Sequence, residues 1–210
     1  MTLDSLNKII NILLELKFTL IGPEGLDNIA QLVNKVKENK IPGAFVEAGV
    51  WRGGASIFAR ALMDHLDINE PVYVCDSFEG LPRPSMVEDE GDDHYISLEL
   101  AVSLNTVREN FGYFKLKGDV RYVQGFFKDS MPKLKDEIGP ISVLRIDADM
   151  YEGTIQVLEN LYDKVSVGGF VIADDYGLPG ARLAIDNFRE MYNIKNPIIQ
   201  INNCIHYWQK

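Results

Sequence analysis

Apolar residues recur along this chain with two different periods, and the change of period divides the chain. In the first forty residues they are spaced three and four apart, in SLNKIINILLELKF (5–18) and GLDNIAQLVNKVKENK (25–40). That spacing predicts two amphipathic helices. From residue 43 onward, short and nearly continuous apolar runs alternate with segments of helical period. The second pattern predicts an α/β chain.

Five apolar runs predict the strands of one parallel sheet, because strands covered on both faces are apolar throughout. The runs are GAFVEAG (43–49), PVYVCDSF (71–78), VRYVQG (120–125), ISVLRID (141–147) and GGFVIADD (168–175). Predicted helices lie between and after them, at 53–66, 98–114, 127–138, 151–165 and 180–192. PIIQINN and IHYWQ predict a closing antiparallel hairpin, and the polar, aperiodic segment 83–97 predicts a loop.

Composition and charge narrow the class of protein. The 210 residues suit one domain with one core, with 46% apolar and 25% charged residues. A net charge of −10 argues against a sequence-independent nucleic-acid binder. The sequence shows neither a signal peptide nor an apolar run long enough to span a membrane, so we expect a cytoplasmic protein. Cys75 and Cys204 lie in apolar surroundings and are expected to be buried free thiols.

Polar side chains gather where the predicted strands end. They are Glu47, Asp76, Gln124, Asp147 with Asp149, and Asp174 with Asp175. In an open α/β sheet the ligand binds outside the carboxyl ends of the strands. The sequence therefore predicts the functional edge of the sheet.

The segment VEAGVWRGGAS (46–56) predicts a strand, a glycine turn and a helix. Gly49, Gly53 and Gly54 would let the backbone approach a ligand, and Asp76 is placed to accept hydrogen bonds from ribose. A turn needed only for packing, or a capping aspartate, would give the same pattern. A dinucleotide and S-adenosylmethionine both fit, but the GxGxxG of dinucleotide sites is absent and the terminal hairpin favours a methyltransferase.

Four carboxylates follow two predicted strands, in RIDADMY (145–151) and IADDYG (172–177). Carboxylates placed together repel one another. A bound cation is the first candidate for the group that compensates their negative charge. Hard oxygen ligands suit Mg²⁺. The alternative is that Asp149, Asp174 and Asp175 cap the helices that follow. Arg145 needs a partner inside its strand, and we predict one of these carboxylates as that partner.

Several stretches together resemble the macrocin O-methyltransferase family, the TylF-type sugar O-methyltransferases of macrolide and aminocoumarin antibiotic pathways. The matching stretches include FVEAGVWRGGASIFARA, VCDSFEGLP, VLRIDADMYEGTIQVLENLY and GGFVIADDYGLPGARLAIDNFR, and the resemblance runs from about residue 17 to the C-terminus. It implies a class I, Rossmann-like methyltransferase with N-terminal helices and a lid loop. It also implies S-adenosylmethionine as the cofactor, a divalent cation, usually Mg²⁺, and a sugar hydroxyl as the acceptor.

The resemblance also assigns roles to residues. The implied metal ligands are Asp147, Asp174 and Asp175, and the implied general base is Asp149. The implied cofactor residues are Glu47 and Gly49 for the methionine part, Asp76 and Ser77 for the ribose, and Gly125, Phe126 and Phe127 for the adenine. Segment 83–97 matches a mobile lid, where His94 would be a substrate contact or auxiliary base. A homo-oligomer is expected. The short N-terminal segment and the particular sequence of the lid leave the acceptor unassigned.

Two other functions fit parts of the pattern. A magnesium phosphohydrolase or phosphotransferase could use the aspartates, but it would need lysine or arginine for phosphate, and this motif offers only Arg145. A non-catalytic protein that binds S-adenosylmethionine or a sugar is the second alternative. The four intact aspartates argue against lost catalysis.

Overall fold

The computed structural model describes residues 3–210 and contains a seven-stranded sheet. Its strands are β1 (Ala44–Ala48), β2 (Val72–Asp76), β3 (Val120–Gln124), β4 (Ile141–Ile146), β5 (Val165–Ala173), β6 (Ile199–Gln200) and β7 (His206–Gln209). Their order is β3-β2-β1-β4-β5-β7-β6. The first five are parallel, and β7 is antiparallel to β5 and β6. The predicted mostly parallel sheet with a C-terminal antiparallel hairpin is confirmed.

Seven α-helices surround the sheet: α1 (Leu3–Glu15), α2 (Pro23–Glu38), α3 (Gly54–His65), α4 (Leu104–Gly112), α5 (Phe127–Glu137), α6 (Tyr151–Leu161) and α7 (Pro179–Met191). The prediction of a helix starting at residue 98 is wrong. α4 begins at Leu104 because Ser103 caps it, its Oγ accepting a hydrogen bond of 3.2 Å from the amide of Thr106. Residues 98–100 form one 3₁₀ turn instead.

Two apolar layers lie on opposite faces of the sheet. Helices α1 to α4 pack on one face, against Phe45 of β1 and Val143 of β4. Helices α5 to α7 pack on the other face, against Val46 and Leu144. Side chains alternate between the faces of a strand, so β1 and β4 are buried on both sides. This explains why their sequences are nearly continuous apolar runs.

The order in which successive strands are added to the sheet changes between β1 and β4, which are themselves parallel. The chain runs outward from β1 through β2 to β3 and then returns to β4, beside β1, where the crevice at a topological switch point forms. Gly49 follows β1 with φ +87°, and a Cβ on it would lie 1.6 Å from the carbonyl oxygen of Asp147. Only glycine allows the two strand ends to approach this closely.

The loop prediction for 83–97 is confirmed apart from two short 3₁₀ turns, Val87–Asp89 and His94–Ile96. The burial prediction holds for Cys75 in β2 but is wrong for Cys204, which is exposed on the turn between β6 and β7. Within residues 3–210, the helices are all too short or too polar to cross a membrane.

Candidate active site at the carboxyl edge of the sheet

A cavity of about 800 Å³ opens at the carboxyl ends of β1, β2, β4 and β5. Most of the predicted site residues line it: Glu47, Gly49, Asp76, Ser77, Phe126, Phe127, Asp147, Asp149, Asp174 and Asp175. Gly125 and His94 are not among its lining residues. The sequence placed Trp51 only as a residue that could pack on the cofactor, and it also lines the cavity. Further lining residues come from segments without a predicted cofactor or metal role, namely Thr19–Gly22, Leu81–Arg83, Glu152 and Asn202–Ile205. The structure therefore brings the predicted metal residues, and all the predicted cofactor residues except Gly125, to one cavity.

Asp76 shapes the glycine turn. Its Oδ2 accepts a hydrogen bond of 2.8 Å from the amide of Val50, and its Oδ1 accepts one of 2.7 Å from the amide of Phe78. Burial raises the pKa of Asp76, and these amides act in the opposite direction. The hydroxyl of Ser77 lies 3.4 Å from Oδ1 and the amide of Trp51 also acts on this carboxylate, so donors of the protein occupy most of its acceptor positions. Its ribose role stays a prediction.

Trp51 stands inside this turn in the left-handed conformation, with φ +48°. Its indole Nε1 donates a hydrogen bond of 2.8 Å to the carbonyl of Glu99, and the guanidinium of Arg52 lies 4.5 Å from its ring centroid. These contacts fix the ring in the cavity wall. The only available sequence signal was an aromatic residue inside a glycine-rich turn.

A buried arginine joins the two halves of the cavity. Arg145 on β4 lies opposite Glu47 on β1, and its Nη1 is 2.5 Å from Oε1 of Glu47 and 2.9 Å from Oδ2 of Asp147. Its Nη2 is 2.6 Å from Oδ1 of Asp174, a close ionic contact without hydrogen-bond alignment. The hydroxyl of Ser56 donates to the other oxygen of Glu47. The predicted partner of Arg145 is thus found, but as three carboxylates rather than one.

The charges of this network shift its pKa values. Burial raises the pKa of Glu47 to about 7, against the lowering effect of Arg145 and of the Ser56 hydrogen bond. Burial alone would lower the pKa of Arg145, but Asp174, Asp147 and Glu47 hold it well above its ordinary value. Arg145 therefore stays charged and compensates part of the negative charge at the sheet edge.

Three of the four predicted aspartates converge on one point. Carboxylate oxygens of Asp147, Asp149 and Asp175 lie within 4.8 Å of one another. The amide of Asp149, a residue with φ +59°, donates a hydrogen bond of 2.9 Å to Oδ2 of Asp175. Asp174 points instead at Arg145. The resemblance implied Asp174 as a ligand and Asp149 as a base, whereas the geometry groups Asp149 with the other two; both assignments stay predictions.

The cluster fits a hard divalent cation by its chemistry. Its donor atoms are all carboxylate oxygens, the ligands that Mg²⁺ and Ca²⁺ take. Burial, followed by the charge of Asp147, raises the pKa of Asp149 to about 7, and His94 opposes that shift. Burial also raises the pKa of Asp174 to about 6 and the pKa of Asp175 well above its ordinary value. Because burial and mutual repulsion disfavour the ionised carboxylates, a bound positive charge would stabilise them strongly.

The helix-capping alternative is wrong. In the described chain, α6 follows Met150 and α7 follows Leu178, and neither helix is capped by Asp149, Asp174 or Asp175. The first amides of α6 bond instead to Asp89, a residue of the loop. The four aspartates are therefore available to the cavity and to Arg145.

His94 does not line the cavity, but it is near enough to Asp149 for their charges to interact. Its Nδ1 is 2.8 Å from Oδ1 of Asp92, and this hydrogen bond raises the pKa of His94. The side chain is exposed. Its electrostatic effect on Asp149 is the observation that connects it with the acid cluster, and its role as an auxiliary base stays a prediction.

Comparison with known proteins gives a match along most of the chain. The model of the macrocin-O-methyltransferase family (TylF) matches residues 13–210. The chain is 41% identical over 202 residues to the 8-demethyl-8-(2,3-dimethoxy-alpha-L-rhamnosyl)-tetracenomycin-C 4'-O-methyltransferase of Streptomyces olivaceus, covering 91% of this chain and 75% of that protein. It is 38% identical over 200 residues to the mycinamicin III 3''-O-methyltransferase of Micromonospora griseorubida, with 91% and 78% covered.

Solved structures agree. The O-methyltransferase NovP superposes with a TM-score of 0.87 at 42% sequence identity, covering 91% of this chain and 81% of that one. The calicheamicin methyltransferase CalS11 superposes with a TM-score of 0.71 at 19% identity, covering 98% of this chain and 91% of that one. The second likeness shows the fold alone.

Proposed function

The chain belongs to the macrocin O-methyltransferase family, whose members are S-adenosylmethionine-dependent O-methyltransferases, and on this premise we propose its acceptor and its metal. The acceptor is a hydroxyl group on the sugar of a glycosylated natural product. The metal is a divalent cation, and Mg²⁺ suits the reaction because it takes few carboxylates and leaves positions for substrate oxygens.

One observation carries the proposal: the glycine turn and the acid cluster share a single cavity. Gly49 contacts the backbone of Asp147, so the predicted donor side and the predicted metal side are adjacent. The volume of about 800 Å³ lies within the range of ligand-binding cavities and is large enough for a donor and a sugar ring. Methyl transfer needs this adjacency, because the reacting atoms must meet at about 3 Å.

The names of the relatives support a sugar acceptor. The Streptomyces olivaceus protein is named for methylation at a 4' position of a rhamnosyl tetracenomycin, and the Micromonospora griseorubida protein for a 3'' position of mycinamicin III. The lining of the cavity combines the acid cluster with apolar residues such as Leu81 and Pro82. That lining suits a sugar attached to an apolar scaffold.

Different residues of this chain would bind the cation and accept the proton. Asp147 and Asp175, with Asp149 or Asp174, would hold the cation, which when bound lowers the pKa of a coordinated hydroxyl. S-adenosylmethionine supplies the methyl group. The acceptor oxygen gives its proton to the carboxylate of Asp149, in the arrangement where Asp174 rather than Asp149 holds the cation.

Arg145 keeps Asp147 and Asp174 in place during this step. It contacts both carboxylates and Glu47 at once, so the charged groups on the two sides of the cavity are fixed relative to each other. Arg83 and Ser85 of the loop 83–97 line the cavity, and there the loop would restrict the access of water.

Two measurements test the proposal. Calorimetry with S-adenosylmethionine, with and without Mg²⁺, should show donor binding, which a phosphohydrolase would lack. A mass-spectrometric screen of glycosides should then detect a methylated product. Donor binding without turnover on any glycoside would instead favour a passive binding protein.

A further inference from the structure

In the loop 83–97 a charged residue is buried while apolar residues are exposed. Asp89 is the single buried residue of the loop, 2% exposed, and the structure describes every residue of the segment. The apolar side chains Val87 and Ile96 of the same loop are 75% and 62% exposed. A loop held by the hydrophobic effect would show the opposite arrangement. The loop must therefore be held mainly through its buried carboxylate.

Asp89 binds the first turn of α6. Its Oδ1 accepts a hydrogen bond of 2.7 Å from the amide of Tyr151, and its Oδ2 accepts one of 2.9 Å from the amide of Glu152. These amides belong to the first two residues of the helix, which have no partner within it. The preceding residue, Met150, has no side chain able to cap the helix. The loop thus supplies the cap that the helix lacks.

The carboxylate also lies at the start of α7. Gly180 is the second residue of α7, and a Cβ built on it would be 3.1 Å from Oδ1 of Asp89 and 3.1 Å from the amide nitrogen of Tyr151. The N-terminal ends of two helices carry partial positive charge, which favours an anion between them. A side chain at position 180 would press on the hydrogen bond itself.

A second contact between loop and helix is weaker. The hydroxyl of Ser85 donates a hydrogen bond of 2.8 Å to Oε2 of Glu152, but the pair is exposed to solvent. Exposed polar contacts contribute little to stability. Asp89 is the principal attachment of the loop to α6.

The contact of Asp89 with α6 is connected to the acid cluster through the backbone between Asp149 and Tyr151. Tyr151 follows Asp149 by two residues, and Asp149 is held in a left-handed conformation by its bond to Asp175. Arg83 and Ser85, at the start of the loop, line the cavity, as do Leu81 and Pro82 just before it. One carboxylate therefore connects the position of the loop with the position of the proposed base.

We propose that Asp89 is a positioning residue, a latch that fixes the loop 83–97 across the acceptor side and sets the first turn of α6 behind Asp149. It acts without touching the substrate. The kinetic part of this inference rests on the proposed function, whereas the latch itself can be tested in the protein alone.

The structural test uses Asp89→Asn and Gly180→Ala, with Glu88→Gln as the matched control. Asparagine keeps the shape but loses the charge and cannot accept both hydrogen bonds. Gly180→Ala leaves the charge intact, introduces no positive φ and displaces the latch sterically. Glu88 is the adjacent, exposed carboxylate of the same loop.

Hydrogen–deuterium exchange at Tyr151 and Glu152, and protease cleavage within 83–97, measure the latch. We expect both rates to rise about tenfold in Asp89→Asn, the effect of a lost helix cap, and to rise less in Gly180→Ala. Glu88→Gln should match the parent protein. Parent-like exchange in both test variants, or an equal rise in the control, overturns the inference.

The kinetic test asks whether the latch acts on the acceptor side. In Asp89→Asn, turnover should fall and KM for the glycoside should rise, while donor affinity by calorimetry changes by less than about twofold. An equal loss of donor affinity would indicate general destabilisation and refute a positioning role. If the parent protein methylates no glycoside, the proposed function fails, and the exchange experiment still decides the latch.

Discussion

Replacing Arg145 with methionine perturbs the ionic network at the centre of the cavity. Arg145 is 1% exposed and contacts Glu47, Asp147 and Asp174. Methionine is also long and unbranched but carries no charge. The variant therefore leaves three carboxylates without their counter-ion, and one of them, Glu47, lies fully inside the sheet.

The expected loss of stability is about 3–5 kcal/mol, the usual cost of removing one partner from a buried ion pair. Glu47 has a pKa of about 7 even beside Arg145, so at low pH it can take up a proton and reduce that cost. The loss should therefore be larger at pH 8 than at pH 6. Against a total stability of about 5–15 kcal/mol for an ordinary domain, it is large.

Urea unfolding monitored by the fluorescence of the two tryptophans measures the free energy of unfolding. Arg121→Met is the matched control, because Arg121 forms an exposed pair with Asp119 and should lose less than about 1 kcal/mol. Adding Glu47→Gln to Arg145→Met should recover part of the loss. If Arg145→Met is no less stable than Arg121→Met, the network does not stabilise the fold as argued.

The remaining predictions concern the acid cluster and the donor site. Asp149→Asn should lower turnover by about two to four orders of magnitude with a smaller change in cation affinity; equal losses would make Asp149 a ligand rather than the base. Asp76→Ala should weaken binding of S-adenosylmethionine by about 1–3 kcal/mol in calorimetry, and unchanged affinity would place the ribose elsewhere. The raised pKa values of Asp149 and Asp174, about 7 and about 6, mean that the folded protein binds protons that the unfolded chain releases. Their stabilising contribution is complete below about pH 4 and is lost progressively between about pH 4 and pH 7, so the cation-free Tm should contain a component that falls across that window. Added Mg²⁺ should raise Tm more at pH 8 than at pH 5, and an equal effect at both would contradict ionised carboxylates as its site.

Sequence reasoning located the sheet and the polar edge because both depend on local patterns. The apolar runs of β1 and β4 reflect burial on two faces, and the acids follow directly where those strands end. The start of α4 was missed because LELAVS continues the helical spacing, while Ser103 caps the helix further along the chain. The spacing of apolar residues does not show where a capping residue starts the helix.

Contacts between distant residues explain the other differences. Asp89 and Tyr151 are 62 positions apart, and nothing in the acidic segment marks Asp89 among its charged neighbours. Likewise, the division of Asp174 towards Arg145 and of Asp149 towards Asp175 depends on the pairing of β4 with β5 and on one left-handed residue. Cys204 is exposed because the hairpin turn carries it to the surface, despite its apolar neighbours in sequence.

The most direct test of the central claim is cation-dependent methyl transfer to a glycoside, followed by mass spectrometry of the product. With S-adenosylmethionine and Mg²⁺, the parent protein should add one methyl group to a sugar hydroxyl. Chelation by EDTA, or the substitution Asp175→Asn, should abolish the product. Methyl transfer at the full rate in EDTA would contradict the metal-dependent site described for Asp147, Asp149 and Asp175.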